Sequence, residues 1–181
     1  MPDVSLKKGC DKVIFNYYEE NSGYVSIWAG RLKNKEQLNN YLATVYQHED
    51  EADEEFSKKL EQLFLPENQN RACEVELKEL YDEFYNQFEY DFGFTFDEDF
   101  REALYYESFS TKLDQLLHDD FSYSEQFKGE FISKVGNELS KPYNTIILLY
   151  DVNYDGQIST VTHDTFHIDF LGTIFCEEDR G

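Results

Sequence analysis

The 181-residue chain carries 38 Asp and Glu against 16 Lys and Arg, a formal net charge of −22 at pH 7. That sign excludes direct nucleic-acid binding and disfavours anionic membrane surfaces, because both need cationic side chains. An acidic disordered chain is excluded too, since such chains are poor in rings and this one is 17% aromatic and 40% hydrophobic. One domain over 1–181 is expected, with residues 1–22 and 177–181 peripheral.

The first stretch, 11–18, holds Val13, Ile14, Phe15, Tyr17 and Tyr18 and reads as an edge strand. After a turn through Gly23, residues 24–30 alternate. Val25, Ile27 and Ala29 point one way and Tyr24, Ser26 and Trp28 the other, which makes a strand with one core face. Asn34 then caps a helix, with Gln37 three residues on in a capping-box arrangement. Leu38, Leu42 and Val45 form its apolar stripe, with Tyr41 at the edge. The acidic run 49–55 reads as a solvated loop or helix N-terminus, and Phe56, Leu60, Leu63 and Phe64 as a helix stopped by Pro66. A further helix is expected over about 72–88, burying Leu77, Leu80, Tyr81, Phe84 and Phe88.

Phe92, Phe94 and Phe96 alternate in a short extended piece or tight loop, and Asp97 caps a helical turn carrying Phe100 and Leu104. Leu113, Leu116 and Leu117 mark a short helix. Ser122-Tyr123-Ser124-Glu125 reads as a second capping box, opening a helix that turns Phe127, Phe131 and Val135 inward and ends at Gly136. Residues 145–150 are the one apolar run unbroken by charge. They suit a strand covered on both faces and lying centrally in a sheet. Asp155-Gly156 signals a hairpin. A long or paired strand closes the chain, with Phe166, Ile168 and Phe170 on one face and a bulge or kink at Gly172. The fold class is α/β or α+β: a mostly antiparallel sheet of four or five strands packed with helices.

Candidate sites are few. Asp151 to Gly156 matches the first half of a calcium loop of the EF-hand type. Thr162 stands where the bidentate Glu belongs, and a hairpin turn explains the same residues without an ion. His163, Thr165, His167 and Asp169 would line one strand face, a pattern that could hold zinc but lacks a completing partner. No metal or other cofactor is expected. No phosphate loop, nucleophile elbow or dinucleotide fingerprint occurs, so an enzyme is not the leading reading. Cys10, Cys73 and Cys176 are odd in number and far apart, which argues against a disulfide framework. The start at Met1-Pro2-Asp3 has no apolar signal core and no membrane span follows, so a reducing cytoplasm is expected.

Residues 25–30 leading into a helix, then Phe92-Gly93-Phe94 with Asp97-Glu98-Asp99-Phe100, then residues 146–151 and the closing Phe170-Leu171-Gly172, follow one another in an order that resembles the immunity proteins of bacterial polymorphic toxin systems. The resemblance is to the family called immunity protein 22 and spans about 24–175. It implies a single-domain, cytoplasmic, non-enzymatic protein that binds a cognate toxin, as in contact-dependent inhibition. Nuclease toxins are basic, so an acidic inhibitor imitates their substrate's charge. The contact surface is expected on Asp91, Asp97, Glu98, Asp99, Glu102, Tyr105 and Tyr106. The alternatives are a metal-dependent hydrolase built on the acid- and His-rich C-terminal half, and an acidic nucleic-acid mimic aimed at a DNA-binding protein.

Overall fold

The computed structural model describes residues 22–44, 46, 49–56, 58 and 86–176. The edge strand expected at 11–18, and most of the helices expected over 56–64 and 72–88, lie outside these residues. The strands are β1 (Tyr24–Arg31), β2 (Arg101–Lys112), β3 (Glu138–Tyr150), β4 (Thr160–Thr162) and β5 (His167–Phe175). They form one sheet in the order β2-β3-β1-β5-β4, and every neighbouring pair is antiparallel. The helices are α1 (Lys35–Leu42), α2 (Gln87–Phe92), α3 (Leu113–Leu116) and α4 (Ser124–Val135).

β1 sits in the middle, and its alternation sorts side chains into two cores. Trp28 and Leu32 face one, with Ile147 and Leu149 of β3 and the rings of Phe88, Phe92, Phe94 and Tyr154. Val25, Ile27 and Ala29 face the other, with Ile146, Leu148, Leu113, Leu116, Phe127 and Phe131. The expectation of a single core face on β1 is corrected: helices and loops cover both sides, and Trp28 is fully buried. Burying each such side chain stabilises the fold by about 1.5–3 kcal/mol. Residues 145–149 are buried on an interior strand, as their unbroken apolar run requires.

β5 serves both cores by means of a bulge. Ile27 faces Gly172 while Trp28 faces Phe170, leaving Leu171 as the extra residue. Side chains alternate with period two, so one extra residue reverses the faces that follow. Ile168 and Phe170 therefore join Trp28, whereas Ile174 joins Val25. Gly172 supplies the turn with φ +147°, a conformation open to glycine.

Local signals were obeyed in part. The Asn34 side chain accepts from the Gln37 N–H at 2.8 Å, and Gln37 returns the bond to the Lys33 N–H at 2.7 Å. Helix does not run on to Phe88 from upstream, because Asn86 is extended and caps α2 by accepting from the Glu89 N–H. Asp97 caps a 3₁₀ turn, Glu98–Phe100, but Leu104 belongs to strand β2 rather than to that turn. Ser122-Tyr123-Ser124-Glu125 forms no capping box: Tyr123 is the N-cap, in the left-handed region at φ 59°, and makes no capping bond. Asp155-Gly156 joins no hairpin, since β3 pairs with β1 and β2 while the loop after it crosses to β4. Among the described residues no helix is long and apolar enough to cross a membrane.

Candidate functional site

Where β1 starts and β3 ends, the 3₁₀ turn ahead of β2 and the N-terminus of α4 come together around an open cleft of about 400 Å³. Its walls include Asp99, Phe100, Glu102, Tyr123, Tyr150 and Asp151, and among the described residues no Lys, Arg or His lines it. Phe100 and Tyr123 are exposed, at 39% and 57%, so two ring faces open on solvent beside three carboxylates. The two described non-glycine residues with positive φ, Tyr123 and Asp151, both stand here.

Glu102 organises one wall. Its carboxylate accepts from the Ser122 N–H at 2.9 Å, the Ser122 hydroxyl at 2.5 Å and the Tyr150 hydroxyl at 2.7 Å, which ties β2, β3 and the start of α4 together. Burial, then the bond to Glu102, pushes the Tyr150 phenol well above its ordinary range. Asp151 fixes the opposite wall by accepting from the Gly23 N–H at 2.8 Å. Behind it Ser26 donates to the Val152 carbonyl and accepts from the Tyr154 N–H, which pins the 151–156 loop to β1. Cys176 also lines the cleft. Burial pushes its thiol up, which favours the protonated form at neutral pH.

Residues 25–176 match the sequence profile of a family described as Immunity protein 22. The chain belongs to the Immunity protein 22 family. Membership carries a general immunity role, the neutralisation of a toxin. No curated protein and no solved structure matches the chain significantly.

In this member of the Immunity protein 22 family, the seven residues expected at the contact surface part company. Asp97, Glu98 and Asp99 are exposed on the 3₁₀ turn. Asp97 accepts from the Asp99 N–H at 3.0 Å. Glu98 accepts from the Thr44 hydroxyl at 2.9 Å and from the Tyr46 hydroxyl, and the Tyr46 bond, then the Thr44 bond, holds its carboxyl below the usual range. Asp99 and Glu102 line the cleft. Tyr105 and Tyr106 are half-buried on opposite faces of β2: Tyr105 packs on the Trp28 side, and Tyr106 on the other side donates to the Leu116 carbonyl at 2.6 Å.

Asp91 is a correction. It is 0% exposed and accepts from the Tyr41 hydroxyl at 2.8 Å and the Gln87 side-chain amide at 2.9 Å, with His163 Nε2 2.7 Å away. A carboxylate sunk among those partners holds the α1–α2 layer to the β4–β5 turn and presents nothing to a docking protein. The single strand face expected for His163, Thr165, His167 and Asp169 is not formed: His163 is buried against Phe166 and Asp91, while His167 bonds Thr162 and Asp169 on β5. Among the described residues no group of three or more His, Cys, Asp or Glu is placed to hold a metal ion. In the calcium-like loop, Val152 and Tyr154 are buried and Asp155 accepts from the Gln157 N–H, the work of a structural turn. Phe100, Tyr123 and Tyr150 were not anticipated as site residues, and Asp151 was anticipated only as part of the calcium-like loop.

Proposed function

We propose that this protein neutralises a basic toxin, a nuclease, by one-to-one binding in the cytoplasm of the cell that makes it, without turnover. Family membership supports the toxin as partner. The observation that carries the finer reading is the exposed Asp97-Glu98-Asp99 turn beside a cleft that Asp99, Glu102 and Asp151 line, on a chain of net charge −22. A surface of that sign speeds encounter with a positively charged partner and disfavours others. Asp97, Glu98, Asp99 and Glu102 form the contact in this reading, with Tyr105 and Tyr106 packed beneath and beside it and Asp91 left in the interior.

The test is titration of this protein against basic nuclease toxin domains, beginning with any encoded beside its gene. A one-to-one complex whose association rate falls steeply as salt is raised, and which abolishes cleavage of nucleic acid, is the expected result. A complex insensitive to salt, or a toxin without a basic surface or nuclease activity, overturns the nuclease reading. No complex at all overturns the binding role.

A further inference from the structure

We propose that the cleft between the 3₁₀ turn, α4 and the β3 end receives a single arginine side chain of the partner; this rests on the toxin-binding reading above. Three features meet there. The first is room: about 400 Å³, opening at the surface beside the start of β1 and the end of β3. The second is aromatic: Phe100 and Tyr123 leave ring faces in solvent, and Tyr123 stands edge-on to Tyr150 with centroids 6.2 Å apart. The third is charge: Asp99, Glu102 and Asp151 line the walls, and among the described residues no cation joins them there.

Taken together the three features favour a planar cation. A guanidinium stacks on an aromatic face and offers a fork of N–H donors to carboxylates. The Asp99 carboxylate makes no hydrogen bond among the described residues, whereas Glu102 already accepts three. Asp99 is thus the acceptor ready for the fork, and Glu102 sets the wall and adds field. A lone ammonium would use the charge but not the ring planes, which is why arginine fits better than lysine.

The backbone prepares the cleft. Tyr123 at φ 59° and Asp151 at φ 55° sit in the left-handed region that side chains other than glycine, Asn and Asp seldom adopt. For Tyr123 the consequence is that its ring, 57% exposed, is held at the cleft mouth instead of following the α4 helix face.

The experiment compares toxin affinity of the wild-type chain with Asp99→Asn, Tyr123→Asn and a control, Glu36→Gln. Asn tolerates the backbone at 123, and Glu36 is an exposed acid on α1 that removes the same charge elsewhere. The two cleft variants are expected to lose at least about tenfold in affinity and the control less than about twofold. If wild type binds and all three variants match it, or all three fall equally, the cleft proposal is overturned while the toxin reading stands. If wild type does not bind the toxin, a second arm decides. Nα-acetyl-arginine amide should shift the amide resonances of Tyr123 and Asp151, and the uncharged citrulline analogue should not. No shift, or equal shifts with both probes, overturns the proposal independently.

Discussion

The carboxylate of Glu102 on β2 and the hydroxyl of Tyr150 at the end of β3 meet at 2.7 Å, and the same hydroxyl lies 2.8 Å from the Ser122 carbonyl. One phenol thereby joins the edge strand, its neighbour and the loop before α4. Replacing it by Phe leaves Glu102 with its two Ser122 donors, so Tyr150→Phe should cost about 1 kcal/mol at neutral pH. Urea unfolding checks this.

The same phenol gives the fold an alkaline limit. Burial raises the Tyr150 and Tyr143 hydroxyls above 10.0, with bonds to Glu102 and Asp169 acting in the same direction. A group whose folded value is raised stabilises fully below its unfolded value, and that contribution is lost as pH climbs through the folded one. Stability should therefore fall from about pH 10 upward. Tyr143→Phe with Tyr150→Phe should flatten that decline. An unchanged slope in the double variant would contradict the assignment.

Asp91 and Asp99 offer a contrast between two acids eight positions apart. Asp91 is fully buried among Tyr41, Gln87 and His163, so Asp91→Ala removes the carboxylate those side chains share and should cost about 2–4 kcal/mol. Asp99→Asn on the exposed turn should stay within about 0.5 kcal/mol. The single Trp, Trp28, reports both by fluorescence. Equal losses would place Asp91 nearer the surface than its contacts allow.

Trp28 itself stands between Phe88, Phe92, Phe94, Tyr154 and Phe170, with ring centroids 5.0–6.0 Å away, and its indole N–H has no partner among the described residues. Trp28→Ala should cost about 3–5 kcal/mol through the cavity it leaves. Trp28→Phe should cost much less, because deleting an unsatisfied N–H offsets part of the lost volume. Thermal unfolding followed by circular dichroism separates the two.

Glycine substitutions should split in sign. Gly129 is exposed within α4, and an added Cβ would meet nothing within 4 Å, so Gly129→Ala should stabilise by about 0.5–1 kcal/mol. Gly172 holds the β5 bulge at φ +147°. Gly172→Ala should destabilise by about 1–3 kcal/mol, and a gain there would refute the role given to the bulge.

Periodicity made the interior of the sheet legible, but not its edge or its cleft. Residues 145–149 and the alternating β1 declared themselves because burial on two faces leaves no room for charge. β2 hid because, among the described residues, it pairs only with β3 and is half-wet on both faces. Leu104, four residues after Phe100, then imitated a helical stripe. Asn34 gave a true cap, whereas Ser122 spent its hydroxyl on Glu102, a partner twenty residues away. The cleft was illegible for the same reason: its walls come from Asp99, Tyr123 and Asp151, and nothing local announces that they meet. Asp91 went the other way: its charge reads as surface, although its immediate neighbours, Tyr90 and Phe92, are buried rings.

The placing of β1 also bears on timing. Val25 faces Tyr150 on one side and Ile174 on the other. A chain leaving the ribosome makes its middle strand early and both partners of that strand late. At about 5–20 residues per second, that wait is on the order of ten seconds. Pairings so distant along the chain also fold slowly. A cell relying on this protein is thus guarded by molecules finished beforehand, not by those still being translated when a toxin arrives.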